Sequence, residues 1–413
     1  MSDSGTDITP TEDAIMSRPS ILISGASIAG PGLAFWLHRY GWQTTIVERG
    51  ESLRSEGQNV DVRGAGREVA RRMGIEDDIR DAGTGERGTQ FLDADGAVVA
   101  SFPAGAAGAD GPTDELEILR GELARILVEH TSTDTEYLFG THITAVEDLG
   151  DGVDVTFAGG EQRRFDLVVL AEGMRSRTRA LIFGDQVRIR PLGLYTAWFT
   201  VPRIDTDTAW ARWFNTTGGR AILIRPDNLG TTRAAMSFLS PPRGYEDMDR
   251  DQQRRVLRTV FHGVGWQAPR LLDELADTDF YFEAIGQVTA PRWSTGRIAL
   301  LGDAAYAPSP ITGMGTSLAL VGAYVLAGQL AAGGSHHDAF ASYERIMRPY
   351  VDQAQKLPPG VPRIANPKSR IGLKIFHTGL RFAAGPIGSR IGGLAGTLFS
   401  PPADKIDLPQ YSS

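Results

Sequence analysis

The first apolar run, Ile21–Ile23, ends in the glycine-rich stretch SGASIAGPG, after which apolar residues recur at helical spacing through Tyr40. Gly41 stops that helix, and residues 44–50, TTIVERG, read as a second strand. A strand–turn–helix–strand unit of about thirty residues predicts the start of a parallel sheet covered by helices. Further on, residues 64–82 read as helical. In LEILRGELARILVEH, Leu119, Leu123, Ile126 and Leu127 fall on one face, so 116–130 is expected to be an amphipathic helix despite Gly121.

Strand-like segments at 141–147 and 153–157 precede the apolar run Phe165–Ala171. The stretch 191–285 is different. It holds the strand-like pieces LYTAWFTV, RAILIRP and RAAMSFLS with one short helical part near 249–262, and strands do not alternate with helices. That pattern predicts a separate, mostly antiparallel layer. Alternation returns with GRIALLGDAA (296–305) and an apolar helix after Gly315. The tail, 353–403, carries no acid and seven basic residues from Lys356 to Arg390, with a helix expected around 368–384. The first 19 residues, with Asp3, Asp7, Glu12 and Asp13 among Ser, Thr and Pro, read as a disordered extension rather than a signal peptide.

Composition narrows the chemistry. A formal net charge of −8 argues against nucleic acid as the main partner, and the absence of cysteine removes disulfides, thiolate nucleophiles and cysteine-ligated zinc. The seven histidines are scattered, and the cluster His336-His337-Asp338 sits at an expected helix start, so no metal is expected. No apolar stretch reaches the ~18–20 residues that span a membrane. These features point to a cytoplasmic protein.

The glycine-rich turn allows two readings. A dinucleotide fingerprint, Gly-x-Gly-x-x-Gly, would place Gly25, Ser27 and Gly30 at its three special positions. The same letters approach the Gly-x-Ser-x-Gly elbow of a serine hydrolase. Position decides against the hydrolase, because only 26 residues precede Ser27 and about 19 of them look disordered. Glu48 favours the nucleotide, since it lies 23 residues after Gly25 at a strand end, where a carboxylate accepts both hydroxyls of a ribose. A structural turn binding nothing is the bland alternative. The turn alone does not separate FAD from NAD.

Two distal segments do. DLVVLAEGMRSRTR (166–179) and GRIALLGDAAYAPSPITGMGTSLAL (296–320) resemble, in order and spacing, motifs of the single-component FAD-dependent aromatic monooxygenases, the para-hydroxybenzoate hydroxylase family. The resemblance covers about residues 20–350. GQNVDVRGAGREVARRMG (57–74) and LEILRGELARIL (116–127) look most similar to its tetracycline-inactivating and antibiotic-tailoring branch. It implies an α/β fold with a Rossmann-like (GR2-type) FAD-binding domain from 20–85, 115–190 and 286–348. An antiparallel-sheet substrate domain would come from 86–114 and 191–285, and a C-terminal helical segment from 349–413.

The resemblance also implies roles. Gly25, Ser27, Ile28, Ala29 and Gly30 would face the FAD pyrophosphate, Glu48 and Arg49 the adenosine ribose, and Arg120, Glu172, Gly173 and Gly302 the middle of the cofactor. Asp303 would hold the ribitol, while Asp61, Pro310, Gly313, Met314, Gly315 and Thr316 would surround the flavin ring. Ser176 and Arg179 belong to the second motif. Glu172, Tyr306 and Ser317 depart from the family's aspartate, histidine and asparagine, which bears on the nicotinamide interaction and on flavin mobility. The implied activity is hydroxylation of a planar aromatic or polyketide-like molecule through a flavin C4a-hydroperoxide, with NADPH or NADH as transient reductant and molecular oxygen as co-substrate. No catalytic side chain is implied. Trp198, Arg212, Trp213, Arg220 and Met236, with Phe199 and Phe214, are the candidates to line the substrate, although strand alternation lets only about half face a pocket. The expected assembly is a monomer or homodimer without membrane attachment, and a membrane-surface tail helix is the lesser reading. Competing functions are a prenyl-chain-reductase type of FAD oxidoreductase on the same fold, and a flavin- or drug-binding protein without turnover.

Overall fold

The computed structural model describes residues 18–53, 57–104, 116–385 and 406–411. The expected extension therefore lies almost wholly outside the described residues, as do parts of the proposed substrate region and of the tail. Along the chain, β1 (Ser20–Ser24), α1 (Ala29–Arg39) and β2 (Gln43–Glu48) come first. Next are β3 (Asn59–Asp61), α2 (Gly64–Met73), α3 (Glu76–Asp81), β4 (Gly88–Leu92) and β5 (Val98–Pro103). β6 (Glu117–Leu119) runs directly into α4 (Arg120–Glu129), followed by β7 (Thr135–Phe139), β8 (Ile143–Asp148), β9 (Val153–Phe157), β10 (Gln162–Phe165), β11 (Leu167–Leu170) and α5 (Arg177–Phe183). The middle region holds β12 (Arg188–Pro202), β13 (Ala211–Thr216), β14 (Arg220–Pro226), β15 (Thr231–Leu239), α6 (Arg250–Phe261), α7 (Ala268–Glu274) and β16 (Phe280–Thr289). The remaining elements are β17 (Ser294–Thr295), β18 (Ile298–Leu300), α8 (Asp303–Tyr306), α9 (Gly315–Ala331), α10 (His336–Ala354), α11 (Val361–Ala365) and α12 (Arg370–Ala384).

The first sheet has the order β17-β18-β11-β1-β2-β7, parallel except at β17. Its central strands are buried on both faces, which is why Ile21–Ile23 and Leu167–Leu170 are unbroken apolar runs. Helices α1, α9 and α10 share its core, to which the three-stranded sheet β10-β9-β8 adds Val153, Val155 and Phe157. α9 is buried all round through Gly328, so its sequence shows almost no polar face.

The second sheet has the order β16-β12-β15-β14-β13-β4-β5 and is antiparallel except where β13 meets β4. One face packs against α6 and α7 through Tyr195, Phe199, Phe214, Phe238, Leu257 and Phe261. On the opposite face Gln287 of β16 donates to the Pro308 carbonyl at 2.8 Å, in the segment that follows α8, and that side is called the cleft side below.

Two elements differ from expectation. The helix expected over 116–130 begins at Arg120. Leu119 is its N-cap, with φ −66° and ψ 135°, and residues 117–119 pair antiparallel with β3 instead. The helix expected over 64–82 is broken by Gly74 at φ +80°, a left-handed cap that Gly adopts without steric cost.

Candidate active site

The site is built around the turn after β1. Gly25 sits at φ +115°, donates to the Val47 carbonyl at 2.8 Å, and lies so near β11 that a Cβ would be 2.5 Å from the Ala171 carbonyl oxygen. A Cβ on Gly30 would stand 2.0 Å from the Gly25 carbonyl oxygen. These two contacts fold the chain tightly enough for α1 to present its first N–H groups over the turn. No side chain caps that N-terminus, so its donors and partial positive charge remain available to an anion.

From this turn a continuous track runs across the first sheet. Glu48 accepts from the Ala26 and Gly50 amides at 3.1 and 2.9 Å, which fixes it beside the turn, with the exposed Arg49 next to it. The Ser27 hydroxyl lies 3.2 and 3.1 Å from Nε and Nη2 of Arg120, drawing that guanidinium over the turn. Gly302, at φ +62°, approaches Ala29 closely, since its added Cβ would lie 3.1 Å from the Ala29 methyl. Next in the track, a Cβ on Gly315 would be 3.8 Å from Asp303 Oδ1, and one on Gly313 would be 3.8 Å from Asp61 Oδ2. α9 also begins without a side-chain cap. Ile28, Ala29, Met314 and Thr316 are buried along this line, Pro310 is exposed at its far end, and Gly173 turns the chain at φ +82°. Glu48, the open N-terminus of α1, Asp303 and the open N-terminus of α9 follow one another along this line. That sequence of groups fits an extended dinucleotide such as FAD.

Asp303 is exposed at the start of α8. Desolvation by the protein around it raises its carboxyl pKa above the ordinary range, and Arg120 pulls it down. Facing it from β16 is Glu283, which is buried and accepts from the Tyr281 hydroxyl at 2.6 Å. Burial pushes the Glu283 carboxyl to about 7, with Arg175 and Arg120 opposing and Asp303 adding to the rise. Arg175 is itself paired with Glu246 at 3.1 Å. Sequence reasoning missed Tyr281, Glu283 and Arg175. A lone acid inside the apolar strand FYFEAI was the available signal.

A family model for an FAD binding domain matches residues 18–356. The flavin-dependent monooxygenase eupH of Phoma sp is 37% identical over 431 residues, covering 96% of this chain and 98% of eupH. This chain belongs to the FAD-binding monooxygenase family. A flavin-dependent monooxygenase from an unknown prokaryotic organism is 39% identical over 81% of this chain and 87% of its own length. Among solved structures, tetracycline destructase Tet(51) superposes with a TM-score of 0.79 at 30% identity, covering 95% of this chain and 100% of its own. Tet(55) gives 0.77 at 33% identity, covering 95% and 99%. No helix among the described residues is long and apolar enough to cross a membrane.

The three departures of this FAD-dependent monooxygenase from its family motifs have structural roles. Glu172 accepts from Ser24 Oγ at 2.6 Å, Thr178 Oγ1 at 2.5 Å, Ser176 Oγ at 2.7 Å and the Thr178 amide at 3.2 Å, tying β1 and β11 to the start of α5. Ser176 also caps α5, and Arg179 bridges the two distal motifs by donating to the Ala304 and Met174 carbonyls at 2.7 and 2.8 Å. Shortening Glu172 to Asp withdraws the carboxylate by one methylene. Glu172→Asp is expected to lose two of these bonds and about 1–2 kcal/mol of stability, measured as a lower midpoint in chemical denaturation. Tyr306 is 1% exposed and packs 4.6 Å from Trp293, its hydroxyl accepting from Tyr343 at 3.0 Å, so it belongs to the core. Ser317 is fully buried. Its hydroxyl accepts from the Arg63 amide at 3.2 Å and donates to the Arg63 carbonyl at 3.0 Å.

The substrate candidates divide by face. Arg212, Arg220 and Met236 lie away from the cleft. Arg212 stacks over Trp266, Arg220 donates to the Val260 carbonyl on α6 at 2.8 Å, and Met236 is fully buried against α6 and α7, with Phe199 and Phe214 alongside. The reading of these three as substrate-lining is corrected: alternation turns each toward the helical layer. Trp198 and Trp213 occupy the other face. Cross-strand partners form a row over it, Phe91–Trp213–Leu223–Ala235–Trp198–Tyr281.

Proposed function

We propose that this monooxygenase hydroxylates a planar aromatic or polyketide-like small molecule, using NADPH or NADH and molecular oxygen. The observation that carries this reading is the aromatic row on the cleft-facing side of the second sheet. Trp198, Trp213 and Leu223 are only half-buried, and Tyr281 is 44% exposed, although large apolar groups on an inner face are ordinarily covered. A flat ligand laid across them would cover that surface. The Phe91 end of the row is closed by Phe376 and Leu380 of α12. The tetracycline destructases among the similar structures make fused-ring polyketides the first compounds to try.

Bound FAD supplies the redox chemistry, in which one oxygen atom of O₂ enters the substrate and the other leaves as water at the expense of one hydride from NAD(P)H. The chain's own residues bind, orient and exclude water. The open N-termini of α1 and α9 favour negative charge at the pyrophosphate and beside the ring respectively. Asp303 and Glu48 accept from hydroxyls. The aromatic row fixes the plane of the substrate, and the layer of α6 and α7 makes that face rigid from behind.

The test is a visible spectrum of the purified protein followed by a screen of fused-ring polyketides for stimulated NADPH and NADH oxidation. A product heavier by one oxygen is expected, and faster nicotinamide oxidation without an oxygenated product would overturn the hydroxylase reading. Trp198→Ala and Trp213→Ala should each raise KM about tenfold, the ~1.4 kcal/mol of a lost aromatic contact, with kcat little changed. Met236→Ala should instead leave KM alone and lower stability by roughly 2–4 kcal/mol, because it opens a cavity on the far face. Steady-state kinetics alongside denaturation separates the two classes.

A further inference from the structure

Toward the protein, α12 packs Phe376 and Leu380 over Phe91 and Trp213, with the Phe376 ring 6.0 Å from that of Phe91 and His377 buried beside them. On its outer side stand Ile371, Ile375 and Phe382, which are 73%, 68% and 52% exposed. At ~100° per residue these three fall within a stripe about 40° wide, opposite Leu380. Arg370, Lys374 and Arg381 each stand one position before a member of the stripe, so they form a parallel row about 100° round the helix. All three are exposed, and among the described residues they make no ion pair. Asp93 bears on the helix from its other side, next to the buried His377. In the stretch leading into α12, Arg363, Ile364 and Lys368 are exposed too. Residues 353–403 hold no Asp or Glu, although the whole chain carries a formal charge of −8. Single exposed apolar side chains are ordinary. A straight stripe of them beside a row of unpaired cations is not.

We propose that the outer face of α12 is a docking surface for an anionic lipid membrane, with Ile371, Ile375 and Phe382 entering the boundary between headgroups and acyl chains and Arg370, Lys374 and Arg381 meeting the lipid phosphates. The helix lies along the membrane rather than through it, since no helix among the described residues is long and apolar enough to cross one. It is formed before it meets lipid: Ser369 accepts from the Gly372 amide at 3.0 Å at its N-terminus, and Phe376 and Leu380 hold its inner side. Docking therefore does not have to order this segment first.

Lipid suits this face better than a protein partner does. The stripe is a ridge one side chain wide and about 16 Å long. A protein would need a groove cut to match it, whereas the fluid boundary of a bilayer takes a ridge of any outline. The neighbouring cations have the length to keep their stems beside the apolar layer while their heads reach outward to phosphate. Charge also sets the orientation, because the acidic remainder of the chain is repelled by the surface that attracts α12. The inner side of the same helix closes the Phe91 end of the aromatic row. Docking thus brings that end of the cleft within a helix width of the bilayer, where flat apolar molecules collect. That last consequence rests on the substrate reading above, and the docking itself does not.

The experiment is flotation of the purified full chain with vesicles of phosphatidylcholine alone or mixed equally with phosphatidylglycerol. At ~0.1 M NaCl the protein is expected to float with the anionic vesicles at least about tenfold more than with the neutral ones, and ~0.5 M NaCl should remove most of that difference. The double variants Ile371→Asn with Ile375→Asn, and Arg370→Gln with Lys374→Gln, should each lower anionic binding about tenfold. Ile189→Asn, at an apolar position on β12 that is 44% exposed, should not. All these positions face solvent, and unchanged denaturation midpoints confirm that the variants fold. Because the chain has no cysteine, Ile375→Cys carries a single polarity-sensitive dye, whose emission should shift to the blue on anionic vesicles while the same dye at Ile189→Cys does not respond. Equal binding to both vesicle types, no binding to either, or a stripe variant that binds like the wild type overturns the proposal. So does light scattering that shows a dimer which the stripe variant dissociates, since the face would then belong to a second copy. Flotation reads no flavin and no turnover, so its failure leaves the hydroxylase reading standing, and failure of that reading leaves the docking intact.

Discussion

Gly30→Ala is expected to give a protein that purifies colourless and binds FAD at least ~1000-fold more weakly, a loss of about 4 kcal/mol. The added methyl would stand 2.0 Å from the Gly25 carbonyl oxygen, closer than any non-bonded contact allows. That oxygen cannot retreat, because Gly25 is itself pressed against the Ala171 carbonyl and bonded to Val47. α1 must therefore swing away from β1, and its N–H groups lose their aim at the pyrophosphate. Ser27→Ala is the control. A Cβ is already accommodated there, so FAD affinity should drop by no more than about tenfold, reflecting the lost hold on Arg120. The flavin-to-protein absorbance ratio and fluorescence titration read both variants. Wild-type flavin content in Gly30→Ala would count against the whole track.

Ser317→Asn, which installs the residue typical of the family motif, should destabilise this protein by roughly 2–3 kcal/mol. Gly66 of α2 is pressed against Ser317 so closely that a Cβ at Gly66 would lie 2.7 Å from both the Ser317 Cα and its Oγ. The larger amide has no room, and the two hydrogen bonds to the Arg63 backbone are lost with the hydroxyl. α2 would be pushed off α9, and the two-stranded β3–β6 ribbon that carries Asp61, just before it, would move too. Thermal denaturation measures the loss. A Ser317→Asn protein as stable as the wild type would mean that α2 shifts freely.

Much of the cofactor track was legible in the sequence because its residues obey spacing rules that backbone geometry imposes. Gly25 and Gly30 are set by two close approaches, and Glu48 by the length of one strand–helix–strand unit. The short strand β6 was hidden for a plain reason. Leu119 completes a helical stripe with Leu123, Ile126 and Leu127, but pairing with Asn59 claims it for the ribbon. The two faces of the second sheet were half legible. Alternation says that Arg212 and Trp213 point oppositely, but which one meets the cleft depends on where α6 and α7 pack, and that is long-range information. Glu283 was illegible, since its meaning comes from Asp303, Arg120 and Arg175, which reach it from three other parts of the chain.

The two-faced sheet has a consequence for how such proteins diversify. On β13, Arg212 and Phe214 belong to the packed helical layer, while Trp213 and Asn215 belong to the cleft side. Neighbouring letters of the sequence therefore have unrelated surroundings, one set packed against helices and the other on the face proposed above to meet the ligand. Ligand preference can drift along the cleft side in single steps without touching the packed layer. A mutational library aimed at new substrates should accordingly sample every second residue of these strands and leave the residues between them alone.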